Sequence, residues 1–133
     1  MSVKSKEKSN LKLDKKRLIN SFKFAFNGII SAYKDEQNIK IHTVVAILVL
    51  IVGFILKLSR LEFIICLVLI GLVLMAEFFN TAIENAVDLV TLEKNPYAKI
   101  AKDTAAAGVL VFAIISAVVG LIIFIPKVIE LIW

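Results

Sequence analysis

Residues 104–126 read TAAAGVLVFAIISAVVGLIIFIP. The stretch carries no charge and is long enough to cross a bilayer unaided, since a spanning helix needs about 20 apolar residues. Its first residues, Ala105–Gly108, are small and offer a face for close helix contact. Lys127, Glu130 and Trp133 follow as anchors at its far end. The solvent in which this fold must be read is therefore lipid.

Two more apolar runs lie upstream. Ile41–Leu56 is charge-free and bounded by Lys40 and Lys57; a helix beginning at Glu36 supplies the length it lacks. Lys57–Glu62 (KLSRLE) reads as a short turn. Phe63–Ala76 is apolar again, and its helical pattern continues as EFFNTAIENAVDLV, apolar on one side and acidic on the other. This helix is expected to leave the hydrocarbon near Glu77. Asn95–Pro96 marks a loop.

Ahead of the spans, Leu18, Ile19, Phe22, Phe26 and Ile29–Ile30 recur at helical spacing beside Lys15, Lys16, Arg17 and Lys23, with Asp14 as the expected cap. That pattern predicts an amphipathic helix lying in the membrane interface. Residues 1–13 (MSVKSKEKSNLKL) are polar and aperiodic and read as a disordered basic tail. The expected architecture is all-α and polytopic: one domain over 14–133, with a surface helix at 14–34 and spans at about 36–57, 61–92 and 100–126.

Composition agrees. The 133 residues are 59% hydrophobic, above the roughly 45–50% of soluble chains. Sixteen Lys and Arg against eleven Asp and Glu give a net charge of +5. The basic residues crowd before the first span and between the second and third, at Lys94, Lys99 and Lys102, whereas the opposite side has Lys57, Arg60 and Lys127. Such asymmetry meets anionic headgroups rather than nucleic acid, and it places the N-terminus and the Glu77–Asp103 region on the cytoplasmic side of the cell membrane. Cys66 is the single cysteine, so it forms no intrachain disulfide or zinc cluster and reads as a small buried residue. The first forty residues are too densely charged for a removable signal peptide.

The chemistry sits on the acidic stripe. Glu77, Asn80, Glu84 and Asp88 fall within roughly 80° of arc on a helix, with Thr81 at the edge. Asp35 and Glu36 stand at the same end of the first span, and Lys102 and Asp103 at the same end of the third. Carboxylates at membrane depth are costly and usually face a protein interior or wet cavity. Glu77 abuts the apolar run Leu72–Ala76, and scarcity of water there makes it a stronger base. Hard oxygen ligands suit Mg²⁺, and a lysine suits phosphate. The plainer reading has Glu84 and Asp88 solvated, or paired with Lys99 and Lys102. His42, beside Ile41, reads as a packed or interfacial residue more readily than as a ligand. Gly53, Gly71 and Gly120 read as close-packing points within spans. Neither GxxxxGK[ST] nor GxGxxG occurs, which excludes the soluble nucleotide-binding families that use them.

Glu77-x-x-Asn80-Thr81-Ala82-Ile83-Glu84, then Asp88, then Ala101-Lys102-Asp103, resembles the signature of the small bacterial integral-membrane diacylglycerol kinase and undecaprenol kinase family. Glu36-x-Asn38-x-x-x-His42 is similar to the undecaprenol kinase branch. The resemblance covers residues from about 15 to 125. It implies an ATP- and Mg²⁺-dependent lipid kinase with Glu77 as general base and with Glu36 and Glu84 holding the metal on ATP. It further implies that Asn80 and Asp88 support that geometry, Lys102 contacts phosphate, Asp103 the nucleoside end, and Arg17 the nucleotide. The family is homotrimeric, with sites shared between subunits. The chain departs from the diacylglycerol kinase branch at Phe24-Ala25-Phe26, where Tyr-Ser-Trp is frequent, and at Ala106, where a serine is expected. These losses of hydroxyls favour undecaprenol. The rival expectations are a carboxylate-dependent ion- or proton-coupled transport protein and a non-catalytic assembly subunit. A transport path calls for a polar residue in the middle of another span, and no such residue stands out.

Overall fold

A computed structural model supplies the structure of the chain and describes residues 3–133, with side chains from Asp14 onward. The described residues form four helices and no strand: α1 (Val3–Asp35), α2 (Gln37–Ile55), α3 (Arg60–Val90) and α4 (Pro96–Ile132). The last three are long and apolar enough to cross a membrane, so the chain is an all-α polytopic membrane protein. It divides into two compact units, Met1–Asp35 and Glu36–Trp133.

Within the first unit, α1 begins at Val3 rather than at 14, so Asp14 lies inside the helix and does not cap it. The Lys, Glu and Leu residues of this segment are good helix formers, which suits a helix continuing through it. The tail expected at 1–13 lies in part outside the described residues: Met1 and Ser2 altogether, and the side chains of 3–13. Leu18, Ile19, Phe22, Phe26 and Ile30 form an exposed apolar stripe on α1.

In the second unit α2 has 19 residues, roughly 28 Å at 1.5 Å per residue, close to the ~30 Å of hydrocarbon. It ends in a Schellman motif: the Lys57 N–H donates to Phe54 O (3.2 Å) and the Leu58 N–H to Gly53 O (3.0 Å). Lys57 takes the left-handed position, at φ 52°. Leu58 folds back so closely that a Cβ on Gly53 would lie 3.3 Å from its Cδ2, and 3.7 Å from Phe124 Cζ.

The turn is shorter than expected. Ser59 caps α3, accepting from the Glu62 N–H (3.3 Å) while the Ser59 N–H donates to Glu62 Oε2 (2.6 Å). Glu62 thus belongs to the first turn of α3, through a reciprocal capping box. Asn95–Pro96 ends the loop that follows α3 and starts α4. Asn95 Oδ1 accepts from the N–H groups of Tyr97 (2.9 Å) and Ala98 (3.4 Å), and Pro96 occupies the first helical position, where no N–H is needed. At the far end α4 runs through Pro126 to Ile132; the lost hydrogen bond does not stop it, as spanning helices tolerate proline.

α3 packs against both α4 and α2. Most buried residues of the spans follow a seven-residue period: Ile39, Ala46 and Gly53 on α2; Cys66, Val73 and Asn80 on α3, with Glu77 and Thr81 beside them; Val109 and Ile123 on α4. That period aligns one narrow seam per helix and favours left-handed crossing. The rest of each span is uncovered, with 17%, 17% and 11% of the three apolar windows buried, as lipid-facing helices require. Of the glycines expected to be close-packed, only Gly53 meets a neighbour; Gly71 and Gly120 have no atom within 4 Å of a Cβ position, and neither does Gly108 in the small-residue run.

Lys57→Gly removes the left-handed strain at the end of α2 and is expected to stabilise the protein by about 0.5–1 kcal/mol, read as a higher unfolding midpoint in detergent.

Candidate functional site

The seams of the spanning helices change character at one end of the bundle. On α3 the residues Cys66, Ile70 and Val73 continue, at alternating steps of four and three, into Glu77, Asn80 and Glu84. On α4, Lys102 keeps the seven-residue register of Val109, Ser116 and Ile123. Polar groups therefore occupy positions that lower in the bundle hold the packed core.

Glu77 is the extreme case, at 1% exposed, with Asn80 and Thr81 at 6% each. The Thr81 hydroxyl donates to the Glu77 carbonyl oxygen (3.0 Å), and Asn80 Nδ2 donates to Glu84 Oε1 (2.9 Å). Two buried oxygens, Glu77 Oε1 and Asn80 Oδ1, accept no aligned hydrogen bond among the described residues. His42 on α2 faces the first of them, with Nε2 3.1 Å from Glu77 Oε1. The distance is that of an ion pair, but the alignment falls short of a hydrogen bond. Loss of water is the strongest influence on Glu77, followed by the fields of His42, Glu36 and Glu84. Those groups therefore share its electrostatic neighbourhood.

Glu36 is the residue before α2, in extended conformation, and its side chain makes no capping bond, which leaves its carboxylate outside the helix's own hydrogen bonding. Lys102 Nζ reaches across to Asp88 Oδ1 at 2.6 Å, so the plainer expectation for Asp88 holds: it is paired, in a half-exposed ion pair. Lys99 turns to Asp103 one turn further along its own helix, not to Glu84 or Asp88. Arg17 lies on α1, exposed.

His42 is the residue whose placement sequence reasoning missed. Its signal was the stepping Ile39–His42–Ala46–Val49–Gly53, which puts it on the α2 seam. Beside it a cavity of about 490 Å³ runs between the spanning helices, walled by His42, Cys66, Val73, Ser116, Gly120 and Phe124. It is apolar apart from the imidazole and the Ser116 hydroxyl, whose buried oxygen has no partner among the described residues. A secluded carboxylate beside the imidazole that walls an apolar cavity can accept a proton from a polar head whose apolar tail stays in lipid.

Comparison with known proteins defines the class. The family model for prokaryotic diacylglycerol kinase matches residues 23–124. The chain is 47% identical over 111 residues to the undecaprenol kinase of Bacillus subtilis (strain 168), covering 84% of this chain and 90% of that protein. It is 34% identical over 115 residues to a diacylglycerol kinase of Synechocystis sp., covering 86% of this chain and 66% of the relative. It is 33% identical over 92 residues to a diacylglycerol kinase of Pseudomonas aeruginosa, covering 69% and 75%. The chain belongs to the prokaryotic diacylglycerol kinase family. It is thus a multi-pass membrane enzyme, a lipid kinase. Nothing here supports the transport reading.

Withdrawing a carboxylate from water costs free energy even where a neighbouring side chain can donate to it. Glu77→Met, which fills similar space without the charge, is accordingly expected to raise the unfolding midpoint in detergent. An unchanged or lower midpoint argues that the surroundings already satisfy the carboxylate.

Proposed function

We propose that this lipid kinase transfers the γ-phosphate of ATP to the hydroxyl of undecaprenol, with diacylglycerol as the poorer acceptor, and that transfer requires Mg²⁺. The observation that carries the site is the seclusion of Glu77 where the apolar seam gives way to Asn80, Glu84 and Lys102. Glu77 is the general base. The lipid oxygen attacks the γ-phosphorus, the bond from phosphorus to the bridging oxygen breaks, ADP leaves, and the hydroxyl proton passes to the Glu77 carboxylate. Positioning and charge stabilisation do most of the work in such transfers.

The donor set fits Mg²⁺. Glu36 has a carboxylate unused in capping, Glu84 has one oxygen oriented by Asn80, and Asn80 Oδ1 is buried without a donor. No three His, Cys, Asp or Glu cluster as a full cage among the described residues. That suits an ion held by one or two carboxylates and completed by phosphate and water. Glu36 and Glu84 would hold it, and when bound it would neutralise charge developing on the β and γ oxygens. Lys102 offers its ammonium to the phosphates. Asp103 faces the nucleoside end, Arg17 adds a nucleotide contact, and Asn80 and Asp88 support the arrangement.

The undecaprenol preference rests on the 47% identity to an undecaprenol kinase against 34% and 33% to diacylglycerol kinases. Phe24-Ala25-Phe26 and Ala106 support it. The basic N-terminal side supports a site at the cytoplasmic face of the cell membrane, where ATP is. Homotrimerisation with shared sites accords with the small covered fraction of each span.

Purified protein in bilayers, offered undecaprenol and diacylglycerol separately, is expected to phosphorylate undecaprenol faster and only with Mg²⁺. No transfer to either lipid from folded protein overturns the reading. Glu77→Gln is expected to fold and to lose at least about 10²-fold in turnover; wild-type rates in that variant would end its assignment as the base.

A further inference from the structure

We infer that His42 is the positioning residue for Glu77, donating from Nε2 to Oε1 and holding the carboxylate in the orientation that receives the lipid's proton. The inference rests on the kinase reading, in which Glu77 is the base.

A carboxylate that is 1% exposed needs a donor, because an unpaired charge withdrawn from water is among the costliest groups a fold can hold. The backbone and α3 do not provide one for Oε1. Thr81 is committed to the Glu77 carbonyl and the Asn80 amide to Glu84. The group that does stand at Oε1 comes from the neighbouring helix: His42 Nε2, at 3.1 Å. Rotation of the imidazole about its Cβ–Cγ bond redirects the N–H at little cost, since that torsion is broad. The backbone fixes where the ring can be. Ile39, one turn earlier on the same seam, is fully buried, which anchors this part of α2 against its neighbours and sets His42 at the level of Glu77.

The other surroundings of the ring give it its functional context. His42 forms part of the wall of the apolar cavity, and its side chain remains 28% exposed. The imidazole therefore stands between the base and the space in which an acceptor's first carbons fit. Glu36 and Glu84 are the remaining charges that act on Glu77. Both are anions and offer Oε1 no donor.

A residue that merely fills space at this position is replaceable by an apolar side chain, whereas a positioning donor is not. The test compares His42→Leu, His42→Ala and His42→Gln in the Mg²⁺- and ATP-dependent lipid assay, with unfolding midpoints confirming that each is folded. His42→Leu and His42→Ala are expected to lower kcat by about 10–100-fold, the usual cost of removing a group that orients a functional side chain, with the KM for ATP unchanged. His42→Gln, whose amide N–H reaches the same oxygen, is expected to recover most of the rate. Wild-type kcat in His42→Leu overturns the inference while leaving the kinase reading intact, as does a loss confined to the KM for ATP. A wild-type protein that phosphorylates no lipid alcohol removes the kinase reading, and the role of His42 falls with it.

Discussion

The structure turns on a carboxylate kept from water. Glu77 occupies a seam position that its helix elsewhere fills with Cys66, Ile70 and Val73, so the packing that holds three spans together is also what desolvates the acid. Polar groups at membrane depth persist where something other than stability retains them. Under the proposed mechanism the requirement is a proton acceptor that meets a lipid hydroxyl without an intervening solvent shell. The neighbouring features read as consequences. α3 must run beyond the hydrocarbon to carry Asn80 and Glu84, α2 must break from α1 at Glu36, and α4 must start early enough to bring Lys102 across to Asp88.

The seven-residue period makes that economical. One register buries Ile39, Ala46 and Gly53 on α2, and the same register on α4 runs from Ile123 through Ser116 and Val109 up to Lys102. Changing residue type along a continuous seam converts a packing surface into a polar site with no change in backbone. The cavity beside it uses the same helices, so an apolar cleft and a polar site are parts of one interface. The Schellman turn at Lys57 and the capping box at Ser59 secure the opposite end, fixing how α2 returns into α3 and thus the level at which His42 meets Glu77.

Local patterns made much of this legible. Three charge-free runs announce three spans, because the cost of charge in hydrocarbon is a property of each segment by itself. The shared face of Glu77, Asn80, Glu84 and Asp88 follows from helical geometry alone. The helix ends were less legible. Asn95–Pro96 has the composition of a turn, yet Asn caps and Pro fits the first helical position, so the same dipeptide begins α4. Glu62 looked like turn polarity and proves to be half of a capping box. The third span, expected to about 126, continues through Pro126 to Ile132. Gly71 and Gly120 suggested close contacts that are not formed within the chain.

The sequence by itself determined the helical class, the number of spans, the polar stripe and the family signature, all of which depend on residues near one another along the chain. The tertiary structure decided which of those polar groups meet. Lys102 reaches Asp88, Lys99 takes Asp103, and His42, unremarkable beside Ile41, comes to rest against Glu77. Such pairings depend on the relative height and rotation of separate helices. Those are set by side-chain packing summed along the whole seam, and no single stretch of sequence encodes them.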